Sequence, residues 1–235
     1  MFLSFLSILC FCLIGLGQST VYAQSMTAVT TKPNSRSIEA QTLKKGIAQR
    51  LHGESDTSFL RRVLPVSYPS AYNSLVISYA WRATPFGKQL FFSRTNGGDN
   101  EYDLFLFILD PFQAGTYAVQ AFDMGNMGDL TTVAALFFAD VGQDGQKELL
   151  ALNECDLKET VKGDNGDRLF AHVPHYETYV FRYVGLGSDG HPRYREDKTP
   201  RSYLDELPTA AAVRQAIVIH QKRAAHLKST TKSLK

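Results

Sequence analysis

Two stretches of this chain are apolar at consecutive positions along an extended strand. DLFLFIL (103–109) and TTVAALFFA (131–139) leave no run of polar residues on either face. Side chains alternate across a strand. A strand apolar on both faces therefore sits centrally, covered on each side. That requirement places Phe105, Phe107, Phe137 and Phe138 in a core and makes these two strands interior ones.

Around them lie six further segments with strand character. They are SLVISYAWR (74–82), KQLFFSR (88–94), GTYAVQAF (115–122), KELLALNEC (147–155), YETYVFRYV (176–184) and HPRYRE (191–196). Turn signals separate the eight: TNGGDNE (95–101), Asp110-Pro111, MGNMGD (124–129), a polar loop with Gly163, Asp164, Asn165 and Gly166, and GLGSDG (185–190). Short connections of this kind join antiparallel neighbours. Helices are expected at both ends. Ile38, Leu43, Ile47 and Leu51 recur over 37–52, with Gly53 as the stop. Thr209 caps a second helix over 209–227, lined by Val213, Ile217, His220 and Leu227, with Lys222, Arg223 and Lys228 favouring its C-terminal end. The segment 54–73, with Pro65 and Pro69, reads as a surface wrap. The expected fold is α+β: mainly antiparallel sheet of about eight strands with an N-terminal and a C-terminal flanking helix, in one domain over 37–227.

The N-terminus reads as an address. FLSFLSILCFCLIGLG (2–17) is uncharged and shorter than the roughly 20 residues of a membrane span. Val21-Tyr22-Ala23 supplies a signal-peptidase site, so residues 1–23 are expected to be removed between Ala23 and Gln24; an uncleaved N-terminal anchor is the other reading. Residues 24–36 read as a flexible leader and 228–235 as a frayed tail. The mature protein is then exported, periplasmic or extracellular, with no stable membrane span. Cys10 and Cys12 leave with the signal, and Cys155 remains as a small buried hydrophobe. A formal net charge of +2 argues against a nucleic-acid partner.

One motif stands out. FFADVGQDGQKELLAL (137–152) resembles the FG-GAP/VCBS-type repeat: strand, then D-x-[DN]-x-D-G-x-x-[DE], then strand. The whole chain otherwise resembles small secreted proteins of Bacteroidetes-type bacteria, a likeness that brings no activity with it. The repeat implies a calcium loop, with Asp140, Asp144 and Glu148 and the Gln146 carbonyl as ligands. Short carboxylates at alternate loop positions suit a hard cation. Gly142 replaces the third-position ligand, which makes any such site weak and leaves a plain hairpin turn as the other reading. Only one copy is present, and eight strands are too few for a full propeller.

Other constellations are sparse. His172, His175 and Glu177 in AHVPHYE could ligate zinc, but Pro174 breaks the alignment, and a loop entering a strand is expected. Asp99, Glu101 and Asp103 flank one turn, and Asp164 and Asp167 another; paired carboxylates serve glycoside hydrolysis, yet these are turn residues first. Tyr68, Tyr72, Tyr79, Trp81 and Tyr102 are expected to pack half-buried, although such rings can stack on sugars or peptides. Nucleophile-elbow and phosphate-cradling motifs are absent. The expected function is an exported, non-catalytic β-rich domain whose specific role the sequence leaves open: it would bind a protein or a glycan, or serve a structural role. The alternative is a secreted hydrolase whose carboxylates meet only in the fold.

Overall fold

The computed structural model describes residues 50–63, 76–98, 101–113, 116–125, 128 and 131–233. All lie in one compact unit, Pro33–Lys235. The expected signal, the leader, Tyr68, Tyr72, Asp99 and most of the expected helix over 37–52 lie outside the described residues. Residues 50–52 of that helix are not helical; they lead into a turn in which Gly53 takes φ +74°.

All eight expected strands form, in two four-stranded antiparallel sheets. The first runs in the order β1 (Val76–Tyr79), β2 (Gln89–Gly98), β3 (Glu101–Gln113), β4 (Thr116–Asp123). The second follows with β5 (Thr132–Ala139), β6 (Glu148–Lys162), β7 (Arg168–Leu186) and β8 (Pro192–Glu196). The fold is α+β and is not a full propeller.

Alternation along the two-faced strands builds three apolar layers. Leu104, Leu106 and Ile108 of β3 join Phe91, and meet Leu136, Leu149, Ala151, Phe181 and Tyr194 of the second sheet. The intervening Phe105, Phe107 and Leu109 point the other way, with Leu90 and Phe92, onto Phe59 and Leu60. Those two belong to helix α1 (Asp56–Val63). On the far side of the second sheet, Phe137, Leu150, Leu152 and Val180 meet Val213 and Ile217 of helix α2 (Ala210–Ser233), with Leu204 of a short 3₁₀ turn. The order of layers is helix, sheet, sheet, helix. This explains why β3 and β5 are hydrophobic at successive positions.

Several further expectations change. The surface wrap over 54–73 contains α1, whose start is capped by Ser55: its hydroxyl accepts the Ser58 N–H at 3.1 Å. Asp110-Pro111 does not end β3. The strand continues to Gln113 through a bulge between Pro111 and Gln113. Pairing with β2 stops at Leu109, so Pro111 lies where β3 has a free edge and its missing N–H costs little. The polar stretch over 156–175 is a long β6–β7 ribbon rather than a loop, with Asp156 opposite Pro174 and Lys162 opposite Arg168. Pro174 is tolerated for the same reason, because β8 joins β7 only from Phe181 onward. Helix α2 starts where expected and runs past 227 to Ser233, as nothing in that stretch stops it. Among the described residues no helix is long and apolar enough to cross a membrane.

Candidate functional site

A groove of about 670 Å³ opens at the rim where the two sheets meet. One wall comes from the first sheet: Tyr79 at the end of β1 and Trp81 in the link to β2. The other comes from the second: the turn Asp144–Glu148, then Arg182, Tyr183 and Arg195. Tyr79, Trp81 and Tyr183 all pack at the margin of the inter-sheet core, so the groove is the mouth of that core.

Buried polar groups hold the first wall. Gln89 is fully buried; its Oε1 accepts the N–H groups of Trp81 (2.8 Å) and Arg82 (3.1 Å), and its Nε2 donates to Arg82 O and to Asp110 Oδ1, both at 3.2 Å. Asp110, also buried, takes Arg82 in a fork: Nε to Oδ2 at 2.9 Å and Nη2 to Oδ1 at 2.5 Å. The Tyr194 hydroxyl of β8 donates to the same carboxylate, joining one sheet to the other. The carboxylate raises the Arg82 pKa, and burial pushes that of the Tyr194 phenol far up. The Trp81 ring stacks on Tyr194 at 4.9 Å and tilts against Phe138 at 5.5 Å. Its Nε1–H donates to Lys147 O, fixing the turn of the opposite wall. The sequence expectation of half-buried packing holds for Tyr79 and Trp81.

The second wall contains the motif. Asp140 Oδ2 accepts the Gly145 N–H at 3.0 Å, and Asp144 Oδ1 accepts that of Gln146 at 2.9 Å. Glu148 is buried; its Oε2 accepts the Val141 N–H at 2.7 Å and its Oε1 stands 3.3 Å from Arg182 Nε. The Asp140 carbonyl accepts from Gln221 of α2 at 2.6 Å. Positive φ falls at Gln143 (57°) and Gly145 (80°), not at Gly142. A Cβ at Gly142 would lie 3.3 Å from Arg182 Nη2 and from Glu148 Oε1, and 3.7 Å from Asp144 Oδ2. The glycine leaves room there.

Calcium takes six to eight oxygens. In this loop three carboxylate oxygens are spent on backbone N–H groups and a fourth faces a guanidinium. Asp140 Oδ1 is buried without a partner, and Asp144 Oδ2 lies near Glu148 Oε1 and Arg182 Nη2 around the Gly142 position; with the Gln146 carbonyl these are fewer than six. Among the described residues no three His, Cys, Asp or Glu side chains gather as a metal site. The donor set does not fit calcium.

Behind the turn, Arg182 Nε also lies 3.0 Å from Asp197 Oδ2, and Arg201 Nη2 lies 2.5 Å from the same oxygen. Burial works against the charged form of Asp197, but the Thr199 hydroxyl and Arg201 hold its pKa down to about 2. A second groove over Arg182, Arg195, Lys198 and Arg201 continues from the first.

Of the sequence candidates, Asp144, Gln146 and Glu148 line the groove together with Tyr79 and Trp81, and Asp140 does not. Asp164 and Asp167 sit in the turn at the far end of the β6–β7 ribbon, closed by Gly163 N–H to Asp167 O at 2.7 Å. Both ring nitrogens of His175 face carboxylates. Its Nδ1 meets Glu206 Oε1 at 2.9 Å and its Nε2 meets Glu159 Oε1 at 2.8 Å, and these carboxylates, Glu206 first, raise its pKa. Cys155 is buried, and burial raises its thiol pKa. Arg182, Tyr183, Arg195 and Asp110 escape sequence reasoning. The one available signal is Arg182, a charge in the same register as buried Val180 within the stretch 179–186 of β7, which is otherwise aromatic, apolar or glycine. No family model, curated protein or solved structure matches the chain.

Proposed function

We propose that the mature chain is an exported, non-catalytic domain that binds a glycan along the rim groove. The carrying observation is the combination of three half-buried aromatics, Tyr79, Trp81 and Tyr183, with Arg195 along one open groove. Aromatic rings offer an apolar face to the C–H side of a sugar, and guanidinium and phenol groups bond its hydroxyls. Asp144 and Glu148 line the same groove, which is what a hydrolase would need. Each accepts a backbone N–H, however, and Glu148 is held by Arg182 as well, so both shape the turn. Export rests on the apolar run over 2–17 and on Ala23.

The test is binding of purified protein to an array of neutral and acidic oligosaccharides and of peptides. Arg195 is exposed, so Arg195→Gln should weaken glycan binding at least about tenfold, a loss of roughly 1.4 kcal/mol, with melting unchanged. Binding to peptides alone, or glycan binding indifferent to Arg195, sinks this reading.

A further inference from the structure

The loop that resembles an ion-binding turn holds a cation already, and it is part of the chain. We infer that the Arg182 guanidinium takes the cation's place in the Asp140–Glu148 loop, and that Gly142 is there to admit it. Three observations converge. Buried Glu148 forms an ion pair with Arg182, its Oε1 lying 3.3 Å from Nε. The space a side chain at position 142 would fill is bounded by Arg182 Nη2 and Glu148 Oε1, each 3.3 Å from the Cβ position, with Asp144 Oδ2 at 3.7 Å. Gly142 does not use a left-handed backbone, so conformational need does not account for it.

The exchange is physically sensible. A buried carboxylate requires a countercharge. A loosely held ion supplies it only while free calcium exceeds the dissociation constant, whereas a side chain supplies it always. Arg182 is itself placed by Asp197, which Thr199 and Arg201 hold in turn. The loop is thereby tied to β7, to the segment after β8 and, through Gln221, to α2. One groove wall would then keep its shape without any ion.

The experiment is a set of thermal melts of the mature protein in 10 mM calcium and in excess chelator. The wild type should melt at the same temperature in both. Arg182→Gln leaves Glu148 buried without its partner and should lower the melting temperature by at least about 4 °C in both solutions. Gly142→Ala crowds the guanidinium and should also melt lower, again without regard to calcium; it serves as the readout if Arg182→Gln does not fold. The inference is overturned by a wild-type shift in calcium that Asp144→Ala abolishes. It is equally overturned if Arg182→Gln melts with the wild type, or, where that variant does not fold, if Gly142→Ala does.

Discussion

Asp110 shows how much one residue can carry. It is 1% exposed and accepts from Arg82, Gln89 and Tyr194, so its charge is matched and every approach is occupied. Asp110→Ala removes the carboxylate that balances the Arg82 charge and accepts from Gln89 and Tyr194, and should cost about 3–5 kcal/mol in chemical denaturation. From the sequence the residue reads as turn chemistry, since Asp-Pro ends many strands. Its partners are 28, 21 and 84 positions away, and no local pattern reports them. Phenylalanines divide in the same way. Phe107, 1% exposed and stacked on Phe92 at 5.0 Å, should lose about 3–5 kcal/mol on change to Ala. Phe138 is only half-buried at the groove margin and should lose less. His175 supplies a pH signature. Its folded pKa lies above the ordinary value, so the pair with Glu159 and Glu206 stabilises fully below about pH 6.5 and fades as pH rises through the folded pKa. The melting difference between wild type and His175→Gln should therefore be largest near pH 6 and shrink towards pH 9. A difference that grows with pH would contradict the charged pairing.

Elements were legible where periodicity was strong. β3 and β5 announce themselves through hydrophobic side chains on both faces, and α2 through Thr209, Val213 and Ile217. The Thr209 hydroxyl accepts the Ala212 N–H at 3.1 Å, and Thr209→Ala should cost about 1 kcal/mol in thermal unfolding. Two elements were not legible, for separate reasons. Helix α1 has only eight residues, and its Ser55 cap is overshadowed by Pro65 and Pro69 downstream. The β6–β7 ribbon lacks a buried face along most of its length: Lys158, Thr160, Lys162 and His172 are exposed, so alternation has little to report. Phe170, 84% exposed near its end, looks like core in sequence and is not. Phe170→Ser should leave stability within about 0.5 kcal/mol. A larger loss would show that the ring packs in solution.

At the scale of the molecule, one four-layer arrangement accounts for both the two-faced strands and the position of the groove. The two sheets enclose a core, and where they part at one rim, aromatic residues of the core become a wall. The motif was visible in sequence, but its meaning depended on Arg182, some forty residues further along the chain. If the export reading is right, protein recovered from the periplasm of a Gram-negative host begins at or near Gln24; an intact Met1 on cytoplasmic protein would refute it. Trp81 is the chain's single tryptophan and it lines the groove, so its emission reports on that site alone. The most direct test of a non-catalytic binding groove is Trp81 emission followed over hours after adding an oligosaccharide that the array identifies. The account predicts a saturable change that then stays constant. A change that decays as the sugar is consumed, and persists in Asp144→Asn, would make the protein a hydrolase.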